Sequence, residues 1–240
     1  MASAEQIAAQ IQNKKSLAVS STWLNNFLST SGSAQRNIPA SAIINTAIFR
    51  VLASDFRESL STTPASLLPV DIHDPNVQER RLVGPIPVQV LDIEDIGTSL
   101  WSQVEAIERV ERGEAVRGRE IVRTVNVGDD NEGENGQSSS NFAGNTSGSR
   151  GAGPHRLILQ DAAGTKTVGI EMQAIEDLSI EKVPIGGKIL LHNATVARGM
   201  VLLDPQCVSL LGGKIDALNG PWKENRKAWL LQRVSQVQNE

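Results

Sequence analysis

Residues able to do chemistry are few in this chain and badly spaced for it. Gly187-Lys188 and Gly213-Lys214 resemble the end of a phosphate-cradling loop, but Ile follows each lysine where Ser or Thr should be, and the upstream glycine is missing. Asp129-x-Asn131-x-Gly133 imitates a calcium loop, yet Gly133 stands at a ligand position and Glu134 at the turn glycine's place. His73, His155 and His192 are far apart with no cysteine nearby, so they read as surface or hydrogen-bonded histidines rather than metal ligands. Cys207 lies in an apolar stretch without a cationic neighbour, which predicts a buried, inert thiol. Asp92, Glu94 and Asp95 could pair as acid and base. On a strand they alternate faces, and solubilising an edge is the plainer role. No catalytic, cofactor-binding or metal-ligating residue is assigned, and the chain is read as a non-enzyme.

Composition narrows the classes further. The 240 residues can bury a real core in one large domain or two small ones. Net charge is −4 and pI is about 5.5, whereas a strongly basic nucleic-acid module would sit above pI ~9. Aromatics are 3% with no tyrosine, so a set of base-stacking platforms is hard to assemble. The N-terminus lacks a basic run followed by an apolar one, so no signal peptide is expected. No stretch approaches ~18 apolar residues, so no membrane partner is expected.

The elements that must carry any site come next. Ser3 and Gln6 form a capping box for a helix bearing Ile7 and Ile11. Residues 20–22 can cap a second helix with Trp23, Leu24, Phe27 and Leu28 on one face. After a polar turn around Gly32, Asn37 and Pro39 open a helix whose stripe is Ile43, Ile44, Ala47, Ile48, Val51 and Leu52. Three such helices must pack together as a small bundle over 1–60. The Ser/Thr/Pro-rich stretch from 59 to 69 leads into a linker, 61–81.

From Leu82 the pattern turns to strands. A β-rich run covers 86–96, with Pro85 and Pro87 confining its start to an edge. Leu100, Trp101, Val104 and Ile107 recur at helical spacing and read as core rather than as a stacking platform. Ile121, Val122, Val125 and Val127 are β-prone among Arg117, Arg119 and Arg123. Residues 126–153 are Gly, Ser, Asn and acid, with little to bury, and are expected to be disordered. Strand patterns follow at 156–161, 165–172, 188–196, 200–203 and 208–211; in the second, Thr167, Gly169 and Glu171 alternate against Val168, Ile170 and Met172. A last helix is expected over 222–234.

Val201-Leu202-Leu203-Asp204-Pro205-Gln206-Cys207-Val208-Ser209-Leu210-Leu211-Gly212-Gly213-Lys214-Ile215-Asp216-Ala217-Leu218 resembles a segment of the RecQ-mediated genome instability protein 1 family, an apolar strand, a proline and L-G-G-x-[VI]-D-A-L. Residues 157–161, Gly169-Ile170-Glu171, Pro184-x-Gly186-x-Lys188-Ile189, Trp23-Leu24, 89–96 and Trp101-Ser102-Gln103-Val104 fit the same family in the same order. The likeness covers most of the chain outside 126–153. Asp204 departs from it, because members can carry a lysine before the proline, so no basic contact carries over.

The resemblance implies an α+β chain: an N-terminal small helical bundle, then a five-stranded OB-fold barrel with a long insertion between strands 1 and 2, and a C-terminal helix. The boundaries expected are 1–60 helical, 61–81 linker, 82–220 barrel with insertion 98–154, and 221–240 helix. The length looks like the short fungal form. The implied role is a non-catalytic scaffold and regulator of a RecQ helicase–topoisomerase III complex, acting in the nucleus on DNA strand passage and on dissolution of double Holliday junctions. Its partners are then topoisomerase III and a RecQ-family helicase, with DNA met mainly through the complex. Ile121, Val122, Arg123 and Val125 in the insertion, and Leu202, Leu203, Pro205 and Val208 on the barrel, are the candidate partner-binding residues. The competing reading is an autonomous single-stranded DNA binder, a common use of OB folds.

Overall fold

The computed structural model describes residues 3–31, 39–114 and 153–238. The turn at Gly32, the residues Ile121, Val122, Arg123, Val125 and Val127, the arginines Arg117 and Arg119, and the tract 126–153 except Gly153 lie outside them.

The first helices are α1 (Ala4–Lys15), α2 (Ser21–Ser31), α3 (Ala40–Leu52) and the single turn α4 (Phe56–Ser59). At the start of α1 the Gln6 N–H donates to Ser3 Oγ at 3.2 Å and the Ser3 N–H donates to Gln6 Oε1 at 3.1 Å, which closes the capping box. Ile7, Ile11, Leu24, Ile44, Ala47, Val51 and Phe56 come from the apolar stripes of all four helices and share one core. No single stripe can hide itself, so the helices are held by this common burial.

The remaining chain forms β1 (Glu79–Leu82), β2 (Ile86–Asp95), α5 (Leu100–Glu111), β3 (His155–Gln160), β4 (Lys166–Glu171), β5 (Lys188–Leu191), β6 (Ala194–Ala197), β7 (Met200–Leu203), β8 (Val208–Gly212) and α6 (Asp216–Gln238). The eight strands make one curled sheet in the order β1-β6-β7-β4-β3-β2-β5-β8. This is the OB-fold arrangement. The expected run 188–196 is bent at Asn193, a residue at φ 49°, into β5 and β6. Asparagine tolerates that left-handed turn. The bend lets one run serve two sets of neighbours: β5 pairs with β2 and β8, and β6 pairs with β7 and β1. The Asp204 side chain breaks the next run between β7 and β8, accepting from the Gln206 and Cys207 N–H groups at 2.7 and 2.9 Å. β7 lies parallel to β4, which joins the two hairpin systems. The barrel core includes Val88, Val90, Ile93, Leu157, Leu159, Ile189, Leu191, Val201 and Leu203.

Some expectations change. Segment 61–81, read as linker, is built into the fold: β1 begins in it, and Leu68 and Ile72 are buried in the barrel core. Leu67, Leu68, Val70 and Ile72 are interrupted by Pro69 and flanked by polar residues, a run too short for its period to mark a packed segment. The last helix begins at Asp216 rather than beyond Pro221. Pro221 is the sixth residue of α6, so the helix runs on through it without the N–H that would meet the Ala217 carbonyl. The carboxylates of β2 do not solubilise an edge. Asp92 accepts from Trp222 Nε1 at 2.7 Å, and Glu94 meets Arg233 Nη1 at 2.9 Å and Arg156 Nη1 at 3.3 Å. α6 therefore lies over the side of β2 that β5 leaves unpaired. Trp101 is 56% exposed, while Gln103 and Val104 supply the buried face of α5.

Candidate partner-binding face

β4 carries the sharpest departure from ordinary strand patterning. Thr167, Gly169 and Glu171 face the barrel interior, and Val168, Ile170 and Met172 face outward. An amphipathic strand would normally turn its apolar side inward. Two inward contacts explain the inversion. A Cβ at Gly169 would lie 2.8 Å from Leu203 Cδ1 and 3.2 Å from Leu159 Cδ1, so a larger residue there would have to displace two fully buried leucine side chains. Glu171 is buried because its carboxylate is fully occupied. Oε1 accepts from the Ile175 N–H at 2.8 Å, and Oε2 accepts from the His155 N–H at 3.0 Å and lies 2.6 Å from His155 Nδ1.

The register carries the outward apolar surface across three strands. Ile158 of β3 pairs with Val168, which pairs with Met200 of β7, and Ile170 pairs with Leu202. Met172 and Met200 are 60% and 41% exposed, and the branched residues are half-buried. All of them stand outside both hydrophobic cores. OB folds commonly use the face of their second and third strands for ligands. Here β3 and β4 hold those places, and their outer surface is aliphatic and thioether, with Arg156 and Lys166 at its margins and no aromatic ring. Such a surface offers no ring on which a base can stack. It suits a protein, since methionine and branched aliphatic side chains adapt to irregular apolar partners.

The segment between β2 and β3 leaves and returns at one point beside this face. The Ile96 N–H donates to the Pro154 carbonyl at 2.9 Å, and Gly97 and Gly153 touch so closely that a Cβ on either would overlap the other's backbone. Asp95 Oδ1 accepts from the Gly97 and Thr98 N–H groups at 2.8 and 3.0 Å. Gln103 Nε2 donates back to the Asp95 and Thr98 carbonyls, each at 3.0 Å. Lys227 of α6 reaches Glu111 at 2.6 Å and Glu108 at 3.3 Å on α5. The root of the excursion is thus fixed to the barrel and to α6.

Of the candidate residues, Leu202 belongs to the outer face and Pro205 is exposed at the β7–β8 turn. Leu203 and Val208 point into the core at 0% and 7% exposure, so they shape the barrel and present nothing to a partner. Cys207 is buried, and burial pushes its thiol up, away from the reactive thiolate. Ile158, Val168, Ile170, Met172 and Met200 were missed. The alternation in 165–172 is plain in the sequence, but only Gly169 and Glu171 on its polar side hint that this side is the packed one.

Residues 68–226 match the family described as "RMI1, N-terminal OB-fold domain", and residues 11–59 match "RMI1, N-terminal helical domain". The chain is also similar to the RecQ-mediated genome instability protein 1 of Schizosaccharomyces pombe. The two are 29% identical over 168 residues, which is 69% of each chain.

Proposed function

The chain belongs to the RMI1 family, and from that membership we propose that it serves genome stability as a non-catalytic scaffold and regulator of a RecQ helicase–topoisomerase III complex. In this reading it works in the nucleus, stabilises the complex, and tunes DNA strand passage and the dissolution of double Holliday junctions. The observation that carries the proposal is the inverted β4: an aliphatic face where OB folds take ligands, beside the pinned root of the long excursion. The name of the fission-yeast relative supports the link to the RecQ pathway. The face supplies binding, and the excursion that starts beside it supplies regulation of the partner. DNA is met through the complex.

The test is co-expression with topoisomerase III and the RecQ helicase of the same organism, followed by capture and a decatenation assay. The parent should capture the topoisomerase, and Ile170→Glu with Leu202→Arg should weaken capture more than tenfold, about 1.4 kcal/mol. Equal capture by both proteins would remove the face from the interface. Tight binding of the isolated chain to single-stranded DNA, falling steeply with salt, would favour the autonomous binder instead.

A further inference from the structure

Between the helical core and the barrel core lies a buried polar seam. Lys188, the first residue of β5, is 1% exposed there, beside Phe56 and Gln89 at 0%. Lys188 Nζ donates to Gln89 Oε1 at 2.9 Å and sits 4.5 Å from the centre of the Phe56 ring. Gln89 Oε1 also accepts from the Phe56 N–H at 3.0 Å. Gln89 Nε2 donates to Asp55 Oδ1 at 2.9 Å and to Gln160 Oε1 at 3.1 Å. Both donors and both lone pairs of Gln89 are used. The seam joins α4 to β2, β3 and β5, and with them the two cores.

We propose that Lys188 is a proton-operated latch between the N-terminal helices and the barrel. As a neutral amine it donates to Gln89 and leaves no charge in the seam. As an ammonium it brings a full charge into a place with one carbonyl, one ring face and, at one remove, Asp55. The Asp55 charge is already shared. Burial pushes that carboxyl up, but hydrogen bonds from the Arg57 side chain and backbone and from Gln89 outweigh it and hold the carboxyl below its usual range. The other charged groups around the seam do not help. Arg57 is paired with Asp55 at 2.7 Å, Lys166 of β4 lines the cleft above with the same sign as the ammonium, and Asp161 beside Gln160 is spent on the Leu68, Ala163 and Thr165 N–H groups. Gly212, opposite Lys188 on β8, carries no side chain.

Burial therefore wins over attraction to Asp55 and lowers the Lys188 pKa from 10.5 to about 7. Because the folded value lies below the unfolded one, the folded chain binds fewer protons between about pH 7 and 10.5. The latch tightens as pH rises through that window. Below about pH 7 the ammonium is present in both states and its full burial cost loosens the seam.

The experiment is hydrogen exchange on the full chain across pH 6–9, corrected for intrinsic rates, together with resonance titration of the Lys188 Nζ environment. Protection of α1 and α3 should rise several-fold relative to the barrel as pH rises. Lys188→Met should flatten that slope and hold the helices at pH 6 as the parent does at pH 9. Lys188→Arg should leave them open throughout. A parent slope retained in Lys188→Met would overturn the latch, as would helices in that variant that exchange at every pH as fast as the parent's do at pH 6. The resonance titration needs no variant to fold: a midpoint near neutrality supports the proposal, and one near 10 ends it.

Discussion

The outer face of β4 and the seam around Gln89 break the same rule in opposite directions. On β4, apolar Val168, Ile170 and Met172 face out; at the seam, polar Gln89, Gln160 and Lys188 face in. The seam closes around Gln89, whose donors and lone pairs are all met across the helical and barrel halves. The β4 face is incomplete, because within the described chain nothing satisfies its exposed apolar area. Misplaced polar groups that are mutually bonded serve assembly of the chain itself. Misplaced apolar groups that stay uncovered serve assembly with something else.

Perturbing each region separately should break this contrast or sharpen it. The largest loss of stability is expected from Gln89→Ala, about 3–5 kcal/mol, because the Phe56 N–H and the Lys188 amine lose their buried acceptor. The fall in the urea midpoint measures it, and a change within error would mean that the seam is loosely held. Gly213→Ala comes next. Gly213 sits at φ 81°, and a Cβ there would press into the Leu52 carbonyl at the end of α3. A left-handed alanine costs ~1–2 kcal/mol before that overlap is counted, so thermal unfolding should show a loss of at least about 2 kcal/mol. Ile170→Glu with Leu202→Arg should cost no more than about 1–2 kcal/mol, since both positions are half-buried and outside the cores, while capture of the topoisomerase falls more than tenfold. A double variant that unfolds instead would show that the face is part of the core. The smallest effect is expected on exchanging residues 115–152 for about 12 Gly/Ser residues, a linker that spans ~19 Å, about the length of α5. Thermal stability should hold, and decatenation should lose its regulation while capture persists.

Much of this was legible in the sequence. The capping box at Ser3, the stripe on α3 and the turn at Ala163-Gly164 are local signals, and local physics sets them. The order of elements and the family motif placed the helices, the barrel and the last helix. The sequence could not say which side of β4 is buried, because the deciding contacts, Leu203 over Gly169 and His155 on Glu171, come from strands far along the chain. Lys188 was visible only as a failed phosphate loop and as part of a motif. Its burial depends on Phe56 and Gln89 converging from two different units. The carboxylates of β2 were misread for a similar reason, since α6 covers them from 130 residues away.

The hydrogen bond from Ile96 to Pro154 has a consequence for how such a chain can vary. It closes the barrel's first connection at the neck, so whatever lies beyond that neck adds length without asking the strands to move. Doubling a flexible loop costs only ~0.6 kcal/mol in closure entropy. The reach of the excursion is thus a nearly free parameter that insertion or deletion can adjust to a larger or smaller partner while the fold beneath it stays the same.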